Sequence, residues 1–251
     1  MQLKTCEAEK FLDSITKQER ETQSEYWGRL TPANHDEIFR RWIFAFTSIH
    51  TGWQGNVMGY NALKDFVYWK YNSKELAKRL ADSGCGLHNN RAKYIWEFKK
   101  KFWDNPEAYS SKPQTRDEWR TLRNRWVEDH LGIGIAKVSY AIELTWPLEA
   151  PLLCIDIHQS RLYGVDRNLS DAPKDKIVYE MIEQHWVDYC AYRNIAPSVA
   201  RQIFWNRKFE KPSSFFWSWC LHTFENSKIF HSLQQASEPE VGTQCPDLAL
   251  A

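Results

Sequence analysis

The fold is decided by the stretch His130-Leu-Gly-Ile-Gly-Ile-Ala-Lys137-Val-Ser-Tyr-Ala-Ile142. The pattern predicts that one helix ends near His130, that Gly132-Ile133-Gly134 makes a tight turn, and that a second helix follows. Glycine allows positive φ and a close approach of the backbone to a ligand. The free N–H groups at the start of the second helix point outwards and suit a phosphate. Ile133 is predicted to anchor the turn in the core.

A carboxylate opens another helix further along the chain. The apolar run Leu152-Leu-Cys-Ile155 leads to Asp156, which Ile157 and His158 follow. On its own, Asp156 is better explained as an ordinary helix N-cap. His158 is explained equally well as a polar helix residue bonded to the backbone.

The rest of the chain has helical periodicity and shows neither an alternating strand nor an internal repeat. Apolar stripes predict helices over Asp36 to Ile49, Arg91 to Trp103, Trp119 to Val127 and Pro197 to Phe204, and a helix start at Ser170 with Pro173. The first thirty residues are ambiguous and are expected to hold one helix. Residues 104–114 are predicted to be a loop, and the polar residues 234–251 a disordered tail. The fold class is therefore predicted to be all-α.

Composition excludes several classes of protein. The chain has 251 residues, 43 % hydrophobic, with a formal net charge of +1, so any affinity for a polyanion must come from local basic faces. The six cysteines are scattered, which excludes an iron–sulfur cluster and fits free thiols in a reducing cytoplasm. The eight histidines are dispersed, so no metal site is expected. Neither a signal peptide nor a membrane span is visible.

Two segments together resemble the helix-hairpin-helix (HhH-GPD) DNA glycosylase superfamily. Leu131-Gly-Ile-Gly134 is similar to the family's LPGVGxKxA hairpin, and Ile155-Asp-Ile-His158 to the V-D-x-H segment that follows it. Upstream, residues 46–57 look like the family's LSxQT junction, and residues 86–95 like its G-x-x-x-x-K-A-x-x-I helix start. The resemblance covers residues 36 to 165, with the four matches in the family's order.

The resemblance implies a two-lobed α fold with a cleft that takes a flipped nucleotide. Residues 35–152 would form a six-helix bundle whose hairpin spans about 126–142. Residues 1–34 and 153–233 would form the second lobe. Double-stranded DNA is the implied partner, and the protein is expected to be a monomer that does not bind membranes. No cofactor is implied except a structural monovalent ion at the hairpin carbonyls.

The resemblance also assigns the chemistry. The Asp156 carboxylate would stabilise positive charge on the sugar and orient a water, with His158 as a second candidate group. Some family members use a lysine two residues after the second glycine, but here that position is Ala136. Lys137 lies one residue, or about 100° of helix rotation, further on. The predicted enzyme is therefore monofunctional, with Lys137 at a phosphate, while lyase activity through Lys137 stays open.

DNA handling is predicted from the same motifs and from two basic runs. His50 is the candidate for the gap left by the flipped base, with Gln54 and Asn56 near the orphaned partner and Trp53 at the base pocket. The remaining predicted DNA contacts are Gly132, Gly134, Ile135, Lys137, Arg91, Lys93, Arg123, Arg125 and Arg161.

The hairpin looks most like the α-glutamyl/putrescinyl thymine pyrophosphorylase-like branch. That resemblance suggests a bulky modified pyrimidine of phage DNA, such as hydroxymethylated or glucosylated cytosine, and a role in phage defence. Repair of an oxidised or alkylated base is the alternative within the same chemistry. Two other classes stay open: a DNA-binding module without catalysis, and an enzyme that builds a modified base.

Overall fold

The computed structural model describes residues 3–165 and 175–209, and every regular element within these ranges is a helix. The α-helices in chain order are α1 Cys6–Asp13, α2 Lys17–Arg29, α3 His35–Thr47, α4 Trp53–Leu63, α5 Ser73–Asp82, α6 His88–Asp104, α7 Arg116–Asp129, α8 Ile135–Thr145, α9 Ile157–Leu162, α10 Lys176–Tyr192 and α11 Pro197–Phe209. Short 3-10 turns cover Phe66–Tyr68 and Pro106–Tyr109. The all-α prediction is confirmed.

One expectation about single helices changes, and another lies outside the described residues. The first thirty residues hold two helices instead of one, because Thr16 starts α2 with a capping box: its hydroxyl accepts the Glu19 N–H at 3.2 Å, and the Glu19 carboxylate accepts the Thr16 N–H at 2.9 Å. The helix start predicted at Ser170 and Pro173 lies outside the described residues, as does the predicted tail; α10 begins after its cap, Asp175.

An aromatic core surrounds α3. The Trp42 ring lies 5.1 Å from Phe98 of α6 and 5.0 Å from Trp126 of α7, measured between centroids, and all three are buried. Helix α3 also packs against α4 and α8. This packing brings the α3–α4 turn next to the beginning of α8.

The terminal helices pack together on the other side of the molecule. Helix α11 lies against α2 and α10, and α10 also contacts α1. Arg207 of α11 pairs with the Glu19 carboxylate at 2.7 Å and holds the pKa of that group at about 2. The boundaries predicted for the two lobes stay predictions.

Candidate active site

The hairpin between α7 and α8 depends on one glycine. Gly132 has φ +75°, and a Cβ added there would lie 2.0 Å from the ring of Tyr94 on α6. Both the backbone conformation and the space therefore require glycine. Ile133 is buried, as predicted, whereas Gly134 is extended with φ −99° and has open space around it.

Backbone groups of the hairpin remain available for ligands. The N–H groups of Gly134, Ile135 and Ala136 donate to none of the described residues, because the bonds of α8 begin with Lys137 N–H to Gly134 C=O at 3.0 Å. The described residues also leave the carbonyls of residues 130, 131 and 133 without a donor. These oxygens fit the monovalent ion that the resemblance implies, and the ion stays a prediction.

A cavity of about 230 Å³ opens beside the hairpin, where the α3–α4 turn and α8 face α9 and α11. Four parts of the chain line it: Ser48, Thr51, Gly52 and Asn56; Lys137 and Tyr140; Cys154, Asp156, Ile157 and His158; and Arg201, Gln202 and Trp205.

Asp156 combines a structural bond with access to this cavity. Its Oδ1 caps α9 by accepting the N–H groups of His158 at 2.6 Å and Gln159 at 3.0 Å. Its Oδ2 accepts no hydrogen bond from the residues that the structure describes, so one carboxylate oxygen remains for a ligand. The N-cap explanation is therefore correct and does not exclude a chemical role.

Two cations flank the Tyr140 ring in the cavity wall. Lys137 Nζ lies 5.6 Å from the ring centroid, and the Arg201 guanidinium lies 5.1 Å from it. Arg201 is neutralised by the Glu143 carboxylate, at 2.8 Å from Nε and 2.6 Å from Nη2. Lys137 and Asp156 are both half-buried and form no ion pair within the described part of the chain, so they are opposite charges of the cavity without a charged partner there.

The remaining lining groups restrict the chemistry. Burial raises the pKa of Cys154 to about 12, so this thiol stays protonated and does not act as a nucleophile. Burial also lowers the pKa of His158, against the opposing charge of Asp156, so the imidazole is neutral at neutral pH. The His158 ring meets the Trp205 ring edge to face, with centroids 5.5 Å apart.

Gln202 is a neutral amide in the cavity wall. It is 6 % exposed, and its amide makes no hydrogen bond to any residue within 3–165 or 175–209. A buried amide normally finds partners, and this one faces the cavity, so its partner is expected to be a ligand.

Comparisons with known proteins identify the fold. No protein-family model matches the sequence, and the comparison with curated proteins finds no match. Among the solved structures that match, three share 18 % sequence identity with this chain. The 8-oxoguanine DNA glycosylase of Methanocaldococcus jannaschii has a TM-score of 0.62 over 81 % of this chain and 92 % of its own. The glycosylase/lyase from that organism in complex with a 15mer DNA containing 8-oxoguanine has 0.64, over 82 % and 96 %. The 8-oxoguanine DNA glycosylase of Thermotoga maritima also has 0.64, over 81 % and 96 %.

The chain has the helix-hairpin-helix glycosylase fold. Within this glycosylase fold, Lys137, which follows the predicted hairpin at the start of α8, and Asp156 line one cavity. The part of the chain that the structure describes contains no helix long and apolar enough to cross a membrane. The same residues hold no cluster of three or more histidine, cysteine or acidic side chains suited to a metal ion.

Lys137 reaches the cavity, and its contact with a phosphate or with the sugar stays a prediction. Lys137 is the third residue of α8, and its side chain lines the cavity with Tyr140, one turn further along the helix. A rotation of about 100° for one residue does not exclude it, because the lysine stem has four flexible carbons.

Two arginines predicted to contact DNA are interior groups. Arg91 is buried, and its guanidinium donates to the carbonyls of Ile49, Cys85 and Gly86, which fixes the start of α6. Arg123 is fully buried and pairs with Glu183 of α10 at 2.6 Å. Neither side chain is available to a DNA backbone.

The three residues predicted to act at the gap in the duplex have different environments around the α3–α4 turn. Asn56 is buried and its Oδ1 accepts the Thr47 hydroxyl at 2.7 Å, so it belongs to the cavity wall and cannot meet an orphaned base. His50 is exposed with φ +47°, and Gln54 is exposed in the first turn of α4. The side chain of Trp53 lies outside the described part of the structure.

The other predicted phosphate contacts are placed at the surface. Lys93, Arg125 and Arg161 are exposed, and Ile135 is half-buried. Their role as DNA contacts stays a prediction.

The contribution of α11 to the site was not predicted from the sequence. Arg201, Gln202 and Trp205 come from this helix, for which the sequence predicted a helix and no site residue. The available signal was the adjacent Arg201 and Gln202 inside the run Val199-Ala-Arg-Gln-Ile203. A charge and an amide in an otherwise apolar stripe indicate buried polar partners.

Proposed function

We propose that this protein is a DNA N-glycosylase that excises a base flipped into the cavity. The observation that carries the proposal is the Asp156 carboxylate, which lines a cavity beside an open hairpin on a glycosylase fold. A flipped base needs a pocket walled by flat and apolar groups with a few polar contacts, and Tyr140, Trp205 and Gln202 provide these.

The reaction follows from the charges in the cavity. The bond between the base and C1′ breaks with its electron pair going to the base, which leaves positive charge on the sugar. The Asp156 carboxylate stabilises that charge and orients a water. The water oxygen bonds to C1′, and its proton leaves to the carboxylate or to the departing base. The products are a free base and an abasic site.

Gln202 supports recognition of the base by its edge. Its amide offers an acceptor and a donor pair at the back of the cavity, which suits a base edge with adjacent complementary groups. The volume of about 230 Å³ is below the 300–1,000 Å³ of sites for drug-sized ligands. It therefore favours an oxidised or alkylated base over a glucosylated cytosine. The bulky phage pyrimidine and the role in phage defence stay predictions that the substrate panel below tests.

The proposed DNA surface joins the hairpin to the α3–α4 turn. The unpaired N–H groups of residues 134–136 suit a phosphate, reinforced by the dipole of α8. His50 holds a left-handed backbone conformation that a residue other than glycine rarely adopts, at the turn whose Ser48 and Thr51 line the cavity. Strain at such a place supports a functional role, here as the group that fills the gap in the duplex.

Strand cleavage at the abasic site is the second candidate activity. One observation favours it: the Lys137 amine lines the same cavity as Asp156. An amine there can attack C1′ in place of water and form an imine with the sugar, which permits elimination of the 3′-phosphate.

The test is release of free base from duplex DNA containing 8-oxoguanine, uracil, or phage-derived glucosylated cytosine. We expect release from one of these probes and a loss of at least about 100-fold in Asp156→Asn. Asparagine caps a helix as well as aspartate does, so the fold is retained. Asp175→Asn, which changes the corresponding cap of α10, is the matched control and should keep full activity. Wild-type protein that binds duplex DNA but releases no base from any probe would favour the DNA-binding module.

A further inference from the structure

The segment that carries Asp156 is held by side chains instead of by secondary structure. Four successive backbone N–H groups each donate to a side chain. Leu153 donates to Glu183 Oε2 at 3.1 Å, Cys154 to Glu143 Oε1 at 2.6 Å, Ile155 to the Tyr179 hydroxyl at 3.2 Å, and Asp156 to Gln159 Oε1 at 3.1 Å.

These side chains provide the hydrogen-bond partners that a neighbouring strand would otherwise provide. Residues 152–155 are buried and lie outside any helix. A buried N–H group without a partner is costly, and a strand would normally provide that partner. The Tyr179 hydroxyl comes closest to the backbone of a neighbouring strand, because it both accepts the Ile155 N–H and donates to the Leu153 C=O.

Both carboxylates in this set are shared with a buried arginine. Glu143 Oε1 binds the Cys154 N–H while its Oε2 binds Arg201, and Glu183 binds Leu153 together with Arg123. Buried ion pairs contribute little net stability, because removing both charges from water offsets their attraction. Their geometry is nevertheless tightly fixed, since each carboxylate has partners in more than one direction. We therefore attribute these two buried ion pairs to placement of the backbone and not to stabilisation of the fold.

We infer that Glu143, Tyr179 and Glu183 are positioning residues that hold the backbone before Asp156 and thereby aim its carboxylate at the sugar. We call these three side chains the backbone clamp. The inference rests on the proposed function, because aim matters only if Asp156 acts on a substrate. The clamp residues come from α8 and α10, so both helices contribute to the placement of one carboxylate.

Tyr179→Phe is the cleanest test, because it removes one hydroxyl and keeps the ring. Tyr163→Phe is the matched control: Tyr163 is also buried, and its hydroxyl bonds His185 Nδ1 at 2.9 Å, on the face of α10 turned towards α1. The rate constant for base release is measured with enzyme in excess over the probe that the wild type cleaves. Affinity is measured on DNA containing a tetrahydrofuran abasic analogue.

We expect Tyr179→Phe to slow base release by about 10- to 100-fold, since a displacement of 1 Å can cost about 100-fold. Affinity for the abasic analogue should change less than about threefold, because the clamp does not touch DNA. Tyr163→Phe should keep both values. Hydrogen exchange at the Ile155 amide, which does not depend on activity, should accelerate in Tyr179→Phe and not in Tyr163→Phe.

Three results would overturn the inference. They are a wild-type rate in Tyr179→Phe, an equal loss of rate in both variants, and unchanged exchange at Ile155. If the wild type releases no base from any probe, the proposed function fails and the inference fails with it. If the wild type is active and Asp156→Asn is not, a normal rate in Tyr179→Phe removes the clamp alone.

Discussion

Lys137 and Asp156 line one cavity, although Lys137 lies in the first turn of α8 and Asp156 caps α9. Arg201, the other cation of the cavity, is neutralised by Glu143, and that leaves this amine and this carboxylate facing the open volume. A positively charged transition state between them is stabilised by the carboxylate alone. The amine contributes to catalysis only if it binds the sugar covalently or contacts a phosphate.

We therefore expect Lys137→Met to separate two activities. If the amine forms an imine with the sugar, the wild type nicks abasic DNA without alkali and is trapped on DNA by borohydride, and the variant does neither. Lys93→Met is the control: it removes an exposed lysine near the hairpin and should weaken DNA binding without affecting trapping. Absence of trapping in the wild type would contradict the lyase candidate and leave Lys137 with a phosphate.

Local patterns predicted those parts of the site that depend on adjacent residues. The turn at Gly132 and the cap at Asp156 are each determined within about four residues, so the sequence identified them correctly. The direction of the Lys137 side chain stayed open in the sequence, because a rotation about the helix axis describes Cβ and not the end of a long side chain. The two arginines Arg91 and Arg123 were misplaced for a different reason. Their partners are carbonyls and a carboxylate contributed by other segments, and charge in the sequence does not reveal burial.

The other residues of the site are brought together by tertiary packing. Gln202 and Trp205 reach the cavity because α11 packs against α2 and α10, and nothing adjacent to them in sequence indicates that direction. The backbone clamp is equally non-local, because Glu143 and Glu183 lie on different helices. Their carboxylates bind the adjacent N–H groups of Cys154 and Leu153.

Arg123 and Arg125 belong to one basic run on α7, but we expect their replacement by alanine to affect stability differently. Arg123→Ala removes the nearer cation of the buried Glu183 carboxylate and leaves, among the described residues, only Arg120, at 3.6 Å. It should lower the free energy of unfolding by about 3 kcal/mol, the low end of the cost of breaking a buried ion pair. Arg125→Ala removes an exposed charge and should change stability by less than about 0.5 kcal/mol. If Arg125 contacts a phosphate, its loss reduces the salt dependence of DNA binding by about one unit of slope. Urea unfolding measures the stability, and binding titrations at several salt concentrations measure the salt dependence. Equal stability of the two variants would contradict the buried ion pair.

The two hairpin glycines should also differ. Gly132→Ala places a Cβ against the Tyr94 ring and holds alanine at positive φ, so we expect a loss of about 2–4 kcal/mol in the free energy of unfolding. Gly134→Ala meets no atom within 4 Å and keeps an extended conformation; the loss there should stay below about 1 kcal/mol, since alanine is only a poorer N-cap. Comparable losses in urea unfolding would show that the turn does not rest on Gly132.

His50→Gly should separate stability from base flipping. Glycine relieves the left-handed backbone at this turn but gains freedom in the unfolded chain, so the two effects nearly cancel, within about 1 kcal/mol. Base release from a fully paired duplex should nevertheless fall, because nothing fills the gap. It should fall less when the target base is mismatched or unpaired, since flipping then costs less. Asn194→Gly is the control, with φ +52° in the exposed turn between α10 and α11, and its activity should not change. An equal loss on paired and unpaired targets would assign His50 to the cavity wall and remove it from the flipping step.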